Sequence, residues 1–249
     1  MNQTPVSQYS MLVDRLVNAI RSGSVVEKDC LTEPEAGDSY VVQSAVISAL
    51  GGKVGGYKFS IREGVLIGAP LLFVSRQPEL GFENEIKVEV ELALVLGQDL
   101  PVRSGGYSRG EVLEAIESVH IGVELVRTRY VGGAGSSLGL LLADCMSNVG
   151  YLVGPELDRA LLDEGADLGH LRLENEGRVL FDGAAVHPDG DVLKSVVRCA
   201  NEGLPMGGHL KKGQVLTTGT LSGAPVIEKP SHFTTKLGGQ SFTVTLKTA

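Results

Sequence analysis

The sequence predicts an α+β fold in which a helical N-terminal section, residues 1–53, precedes a β-rich body, residues 54–249. Two observations of composition and one of pattern support this prediction. The chain of 249 residues is 43% hydrophobic and 21% charged, which is typical of a globular protein with a sizeable core. It contains 33 glycines, and in the body these separate short apolar runs, as turns separate strands. In the N-terminal section, by contrast, apolar residues recur at helical spacing.

Two helices are predicted in the N-terminal section. Apolar residues recur with helical spacing throughout residues 5–22, and a glycine follows. The second helix is expected over residues 33–50, because Thr32 and Glu35 fit a capping box and a glycine pair ends the run.

The β-rich body is predicted to alternate strands with two more helices. Ser108 and Glu111 fit a second capping box, and the glycine of Asn175-Glu176-Gly177 marks a hairpin turn. The predicted elements are a strand that begins at Lys87, a helix over 108–119, a strand over 121–126, a hairpin over 170–183, a helix over 189–203 and strands within 213–223 and 241–247.

Composition and charge narrow the classes of function. The formal net charge is −8 and the basic residues are scattered, so nucleic acid and anionic membrane surfaces are not expected partners. The N-terminus lacks the pattern of a signal peptide, and no window is apolar enough to span a membrane. The three cysteines, Cys30, Cys145 and Cys199, are widely spaced without a Cys-x-x-Cys pair, which argues against disulfides or a zinc site and fits a cytoplasmic location.

The segment KVEVELALVLGQDLP, which begins at Lys87, has the pattern of an apolar strand that carries two carboxylates. Glu89 and Glu91 share one face of such a strand, because side chains two residues apart point the same way. One interpretation is a half-exposed edge strand with two solvated glutamates. The other is a metal site, because two buried carboxylates about 6–7 Å apart at the backbone would repel each other unless a cation lay between them.

A third carboxylate favours the metal interpretation. Glu124 interrupts the apolar run HIGVELV in the same way as the first pair interrupts its own strand. Carboxylate oxygens are hard ligands that suit Mg²⁺, Mn²⁺ or Ca²⁺. Glu-x-Glu in one apolar strand, followed by a lone Glu in a second, therefore predicts a divalent cation site.

These segments resemble the 2-keto-4-pentenoate hydratase and 4-oxalocrotonate decarboxylase family, which is part of the fumarylacetoacetate hydrolase superfamily. The resemblance extends over nearly the whole chain and rests on the order and spacing of several motifs. They are VEVELALVLGQDLP with SVHIGVELVRTR, and in addition EAGDSYVVQ, GYK, LADCMSNVGYLVG, GAAVHP, GQVLTTGTLSG and LGGQSFTVTL.

The resemblance implies a fold, a metal and an activity. The fold is a mixed β-roll or sandwich, like the C-terminal domain of fumarylacetoacetate hydrolase, preceded by helices. The metal is Mg²⁺ or Mn²⁺ held by Glu89, Glu91 and Glu124, and the substrate is a small 2-oxo acid. The expected activity is that of a lyase, first of all a hydratase. The alternatives are a decarboxylase of a 2-oxo dicarboxylate and a non-catalytic homologue that partners such an enzyme. We also expect a homo-oligomer.

The same resemblance implies roles for further residues. Lys58, in the GYK segment, is expected to hold the substrate carboxylate or to move a proton, and an ordinary surface lysine is the alternative. Asp144 is expected to orient Lys58 or a water molecule, unless it only caps a helix or turn. The expected substrate-binding residues are Ser147, Arg127, Arg129, Thr218, Gly219 and Thr220.

Several departures from the family pattern surround the expected pocket. Arg127 stands where many members have an acid, and the shortened segment after Lys58 supplies Arg62 where an acid is missing. A guanidinium is well shaped to bind a carboxylate through two hydrogen bonds. We therefore predict a substrate with a second acidic end in preference to a plain 2-hydroxypentadienoate.

Overall fold

The computed structural model describes residues 5–29, 31–133, 135 and 137–248. Cys30 thus lies outside the described residues, whereas Cys145 and Cys199 are buried free thiols. In chain order the elements are α1 (Pro5–Gln8), α2 (Ser10–Ser22), α3 (Ala36–Ala49), β1 (Gly56–Arg62), β2 (Val65–Pro70), β3 (Val74–Ser75), β4 (Glu79–Gly81), β5 (Lys87–Leu96), α4 (Arg109–Ala115), β6 (Ile116–Val126), α5 (Leu138–Ala143), β7 (Asn148–Glu156), β8 (His170–Asn175), β9 (Arg178–Ala184), α6 (Lys194–Glu202), β10 (Val215–Thr217), β11 (His232–Leu237) and β12 (Gln240–Lys247), with short 3₁₀ turns at Cys145–Ser147 and Arg159–Leu162.

Two mixed sheets form the body of the molecule. The larger has seven strands in the order β2-β1-β10-β5-β6-β7-β3, and the smaller has five in the order β4-β12-β11-β8-β9. Most neighbours are antiparallel, but β1 with β10, β3 with β7 and β4 with β12 are parallel pairs. The predicted α+β fold, with mixed sheets preceded by helices, is confirmed.

The main core lies between the two sheets and determines which way β5 and β6 face. Val88, Val90 and Leu92 of β5 are fully or almost fully buried, and they belong to the same apolar cluster as Leu173 of β8 and Phe233 of β11. Burial of each such side chain stabilises the fold by roughly 1.5–3 kcal/mol. Because side chains alternate along a strand, the intervening residues of β5 face away from this core.

The N-terminal helices pack on the body through a second apolar cluster. Leu16 of α2 and Val46 of α3 are fully buried, and they share this cluster with Ile67 of β2 and Leu142 of α5. The helical section predicted for residues 1–53 therefore has its core in common with the body.

Two helix boundaries in the N-terminal section differ from the prediction. The first predicted helix is divided into α1 and α2 at Tyr9, whose ψ of 12° is not helical. The second begins at Ala36 rather than at residue 33, and its N-cap Glu35 makes no side-chain capping bond, so the predicted Thr32–Glu35 capping box is wrong. The physical reason is Pro34, which disfavours the helical conformation at the residue before it.

Three boundaries in the body also differ. The capping box of Ser108 and Glu111 is confirmed, but α4 ends at Ala115, and β6 begins at Ile116 instead of residue 121. Pairing of Leu96 with Ile116 extends the sheet into the segment predicted as helix. The helix predicted over 189–203 begins only at Lys194, because Gly190 has a left-handed φ of 77°. Among the described residues no helix is long and apolar enough to cross a membrane.

Candidate active site

Neighbouring strands of the larger sheet bring the predicted metal ligands to one face. Glu89 of β5 lies directly opposite Glu124 of β6, and Glu91 lies opposite Gly122. On the other side of β5, Lys58 of β1 lies opposite Thr217 of β10. Residues opposite one another point to the same face of a sheet, so this face collects the three carboxylates and the lysine.

The three carboxylates form a compact cluster. Ligand oxygens of Glu89, Glu91 and Glu124 all lie within 4.8 Å of one another. Glu91 is 2% exposed and Glu124 is fully buried, whereas Glu89 is partly buried. Strand β5 lies between β10 and β6 inside the sheet. The alternative interpretation, a half-exposed edge strand with two solvated glutamates, is therefore wrong.

The electrostatics of the cluster disfavour three free carboxylates. Burial raises the pKa of Glu91 well above its usual value, and the charges of Glu124 and Glu89 raise it further, against the opposing effects of the lysine and of a hydrogen bond. Burial also raises the pKa of Glu89, with Lys58 opposing the rise and Glu124 adding to it. A divalent cation among these oxygens would remove the repulsion.

Glu124 has one engaged oxygen and one free oxygen. Its Oε1 accepts hydrogen bonds from Lys58 Nζ at 2.6 Å and from Asn148 Nδ2 at 2.8 Å. Its Oε2 is buried and has no hydrogen-bond partner among the described residues. A buried carboxylate oxygen without a partner is costly, and a cation ligated by Oε2 would satisfy it. The donor set of three carboxylates thus fits a hard divalent cation.

Lys58 is held as a charged amine beside the cluster. Burial disfavours the charge, but the three carboxylates outweigh that effect and raise the pKa of Lys58 above its usual value. The amine also donates to the backbone oxygen of Met146 at 3.4 Å. Because an ammonium has three donors, one N–H remains beyond these two bonds for a bound substrate. Lys58 is 8% exposed, so the alternative of an ordinary surface lysine does not apply.

Arg129 and Asp144 form a buried ion pair behind the cluster. Both side chains are 1% exposed, and Nη1 of Arg129 donates to Oδ1 of Asp144 at 2.8 Å, while its backbone N–H donates to Oδ2 at 3.0 Å. Nη2 of Arg129 donates to the backbone oxygen of Asn148 at 2.7 Å. The pair thus holds both ends of the segment between residues 144 and 148.

That segment has an unusual backbone. Cys145, Met146 and Ser147 have φ values of 50°, 52° and 62°, three consecutive non-glycine residues in the left-handed region. Each costs roughly 1–2 kcal/mol relative to the right-handed conformation, so the surroundings must impose it. The conformation brings the backbone oxygen of Met146 to Lys58 and places Ser147 at the cavity described next.

A cavity of about 920 Å³ opens over the carboxylate cluster. The predicted site residues that line it are Lys58, Glu89, Glu91, Arg127, Ser147, Thr218, Gly219 and Thr220. Glu124 is fully buried beside it, and Arg129 and Asp144 are not among its lining residues. The structure thus places Asp144 where it supports the segment that contacts Lys58, not where it would contact Lys58 or a substrate.

The guanidinium of Arg127 already contacts protein groups other than the carboxylate cluster. One of its nitrogens, Nη2, lies 2.7 Å from a carboxylate oxygen of Glu83 and donates to the backbone oxygens of Gly23 and Ser24. Its Nε is buried and has no partner among the described residues. Arg127 therefore ties the cavity wall to the end of α2, and its Nε remains a donor for a further partner.

The loop from Thr218 to Thr220 is held by a histidine. The backbone N–H of Asp189 donates to Nδ1 of His187, so the neutral ring carries its proton on Nε2 and donates to Thr218 Oγ1 at 2.9 Å. The Thr218 hydroxyl donates in turn to the backbone oxygen of Val192. Burial lowers the pKa of His187, which favours this neutral form.

Two residues of the site were not singled out from the sequence. Asn148 donates to Glu124 and accepts from the backbone of Leu72, and it was part of a quoted motif without an assigned role. Thr217 donates a short hydrogen bond to Oε2 of Glu91. Its position next to Thr218, a predicted substrate-binding residue, could have indicated a place in the site. The pairing of β10 with β5, which brings Thr217 to Glu91, cannot be predicted from the spacing of residues in the sequence.

Comparison with known proteins supports the resemblance noted in the sequence. No family model matches the chain. A 155-residue stretch is 28% identical to 4-oxalocrotonate decarboxylase of Pseudomonas putida, and it covers 61% of this chain and 56% of the relative. The chain thus aligns in sequence with little more than half the length of this curated relative.

Solved structures extend the similarity to the whole fold. The 4-oxalocrotonate decarboxylase of Pseudomonas putida G7, complexed with magnesium and adipate, superimposes with a TM-score of 0.79 at 21% identity and covers 100% of this chain and 99% of that one. A yeast protein of the fumarylacetoacetate hydrolase family superimposes with a TM-score of 0.51 at 10% identity, over 77% and 92% of the two chains. The predicted fold and the predicted resemblance are confirmed.

Proposed function

We infer that the chain is a member of the 2-keto-4-pentenoate hydratase and 4-oxalocrotonate decarboxylase family, and we propose that it is a metal-dependent lyase acting on a 2-oxo acid. One observation carries this proposal. Three clustered carboxylates lie beside a charged lysine at the bottom of a cavity, and one of them has a buried oxygen to which no described residue donates a hydrogen bond. Such a constellation of titratable groups with shifted pKa values is characteristic of an active site.

The proposed ligands are Glu89, Glu91 and Glu124, and the proposed cation is Mg²⁺ or Mn²⁺. When bound, the cation supplies Lewis-acid chemistry, drawing electron density from the 2-oxo group and stabilising the negative charge that develops there. Magnesium in the similar Pseudomonas putida G7 structure supports this choice. Glu124 orients the site, because Lys58 and Asn148 fix one of its oxygens, while the other has no partner in the part of the chain that the structure describes.

We propose that Lys58 binds and protonates the substrate. Its third N–H can donate to a substrate carboxylate, and its charge favours an anion at that position. The carboxylates favour the protonated amine and raise its pKa, and a protonated amine beside the substrate can donate to a carbon of the reacting system. The backbone oxygen of Met146 aims the amine.

Decarboxylation is the first candidate reaction. The carbon–carbon bond to the leaving carboxylate breaks, CO₂ departs, and the electron pair passes into the conjugated system that ends at the 2-oxo oxygen. A proton on carbon then completes the reaction, and Lys58 is the proposed donor. The similarity to 4-oxalocrotonate decarboxylase supports this choice. Hydration, the first expectation from the sequence, stays a prediction and requires in addition a base that activates water.

We further propose a dicarboxylate substrate. Lys87 precedes Glu89 by two residues, about 6–7 Å along the same face of β5, and lines the same cavity as Arg127 and Arg62. These cations are suited to the second carboxylate of a substrate whose first end lies at the carboxylate cluster. The adipate in the similar structure is itself a dicarboxylate.

The reaction is tested with a panel of 2-oxo monocarboxylates and dicarboxylates in the presence of Mg²⁺ or Mn²⁺. Release of CO₂ is measured together with loss of the dienol chromophore. Decarboxylation predicts equal rates for the two signals with a dicarboxylate. Loss of the chromophore without CO₂, with water added to the product, would instead establish the hydratase, and no turnover of any member would contradict the lyase proposal.

A homo-oligomer and a cytoplasmic location also stay predictions. The location is supported by the buried free thiols of Cys145 and Cys199, which suit a reducing compartment. Light scattering of the purified chain measures the oligomeric state directly.

A further inference from the structure

The hydroxyl of Tyr151 lies in a space that only a glycine leaves open. Tyr151 of β7 lies opposite Glu124 of β6, on the face of the sheet that carries the carboxylates. A Cβ atom on Gly122 would lie 2.0 Å from the Tyr151 hydroxyl oxygen, much closer than any real contact. The ring of Tyr151 therefore reaches across β6 through the gap above Gly122.

This gap leads towards Glu91. Gly122 is the residue directly opposite Glu91 on the neighbouring strand. Beyond Glu91, on β10, the hydroxyl of Thr217 donates to Oε2 of Glu91. Tyr151 and Thr217 are both fully buried, so neither hydroxyl is solvated.

The Tyr151 hydroxyl lies near the carboxylate cluster and has no role in the site described above. It has no hydrogen-bond partner among the described residues, which is costly for a buried hydroxyl. Burial raises the pKa of Tyr151 well above its usual value, Glu91 and Glu124 raise it further, and the hydroxyl of Thr217 opposes the rise. The hydroxyl is thus a neutral donor beside two carboxylates and one threonine.

We propose that Tyr151 is a positioning residue of the metal site: its hydroxyl, which makes no hydrogen bond among the described residues, turns to donate to Thr217 when a cation occupies the site, while Thr217 donates to Glu91. This chain of two hydrogen bonds, which we call the Tyr151 relay, fixes Oε2 of Glu91 and leaves its other oxygen for the cation. The inference rests on the metal site proposed above and adds to it a support for Glu91, whereas Lys58 supports Glu124. Mutation of a group that orients a metal ligand typically lowers metal affinity by about 10–100-fold.

The relay gives Gly122 a function. A side chain at this position would displace the tyrosine ring, so Gly122→Ala removes the relay without removing any hydrogen-bonding group. Thr217→Val removes the middle hydroxyl, and Thr217→Ser retains it.

The test is direct titration of the metal-free protein with Mn²⁺. The concentration of unbound Mn²⁺ is measured from its electron paramagnetic resonance signal. We expect Tyr151→Phe and Thr217→Val each to weaken Mn²⁺ binding about 10-fold or more. The double variant is expected to be no weaker than the weaker single variant, because both changes interrupt one chain. Thr217→Ser is expected to retain wild-type affinity. Tyr9→Phe, which removes a hydroxyl bonded to Asp38 from a buried tyrosine of the N-terminal cluster, is the control and is expected to have no effect.

Thermal unfolding of the metal-free variants separates positioning from structural support. The relay predicts a loss of affinity that exceeds any loss of stability, with Tyr151→Phe unfolding within a few degrees of the Tyr9→Phe control. If the wild type binds Mn²⁺ and Tyr151→Phe binds it with the same affinity, the relay is overturned and the metal site stands. Failure of the wild type to bind Mn²⁺ would overturn the metal site and the relay together.

Discussion

Glu124 binds Lys58 through one carboxylate oxygen, 2.6 Å from the lysine amine, while its other oxygen is buried without a hydrogen-bond partner among the described residues. One carboxylate can therefore hold an ammonium and ligate a cation at the same time. This relationship places the proposed proton donor next to the proposed Lewis acid. It is the structural basis for the predictions below.

Replacement of Lys58 should slow catalysis strongly and leave metal binding intact. We expect Lys58→Met to lower turnover by on the order of 10²-fold or more, because the amine that binds and protonates the substrate is lost. Mn²⁺ affinity should not fall, since Glu124 loses a competing cation. Steady-state kinetics and Mn²⁺ titration of the same preparation measure the two effects. Lys53, an exposed lysine before β1, provides the control variant Lys53→Met. Turnover of Lys58→Met within a few-fold of this control would contradict the assigned role.

Loss of Asp144 should destabilise the whole protein. Removal of this carboxylate leaves the buried charge of Arg129 without its partner, which costs about 3–5 kcal/mol. We therefore expect Asp144→Ala to lower the free energy of unfolding in urea by that amount. Asp182→Ala, which breaks an exposed pair with Arg172, should change it by less than about 1 kcal/mol. Equal effects of the two changes on the free energy of unfolding would contradict a stabilising role of the buried Arg129–Asp144 pair.

Metal binding should weaken as the pH falls. The raised pKa values of Glu89 and Glu91 mean that the metal-free cluster still binds protons where an ordinary carboxyl group is ionised. Because carboxylates must lose these protons to ligate a cation, affinity is greatest above the raised pKa values and falls as the pH drops through them. Calorimetric titration with Mg²⁺ in buffers of different ionisation enthalpy measures the protons released. No release at any pH between neutrality and the usual carboxyl pKa would be inconsistent with a cluster of buried ligands.

The preference for a dicarboxylate should depend on Lys87. We expect Lys87→Gln to lower kcat/KM for a dicarboxylate by several-fold and to leave a matched monocarboxylate almost unchanged, since only the former places a carboxylate at that end of the cavity. This change is cleaner than Arg127→Ala, which also breaks the contacts of Arg127 with Glu83 and the end of α2. A wild-type preference for the monocarboxylate, retained in Lys87→Gln, would refute the dicarboxylate proposal.

The metal cluster could be predicted because its signal is local. Glu89 and Glu91 are two residues apart on one strand, and alternation alone places them on the same face. The apolar context of Glu124 marked it as a buried acid in another strand. Sequence could not show that Glu124 lies directly opposite Glu89, because strand register depends on pairings distant in the chain.

The support around the cluster was harder to predict. Asp144 and Arg129 were expected at the pocket, yet their charges neutralise each other behind it, and no spacing rule indicates such a pair. Tyr151 and Gly122 looked like ordinary residues of two strands, because their fit depends on a diagonal contact across β6. The predicted end of α4 was wrong for a related reason, because pairing of Ile116 in the sheet overrides the helical pattern of the local sequence.

The proposed chemistry depends most directly on the position of the cation. The decisive measurement is anomalous diffraction at the manganese absorption edge from crystals of the protein grown with Mn²⁺, for the wild type and for Glu91→Gln. We predict one strong peak between the carboxylates of Glu89, Glu91 and Glu124 in the wild type, and its loss in the variant. The control Glu85→Gln, which changes a carboxylate elsewhere on the cavity wall, should retain the peak. A wild-type map without a peak at the three carboxylates, or an undiminished peak in Glu91→Gln, would contradict the proposed metal site.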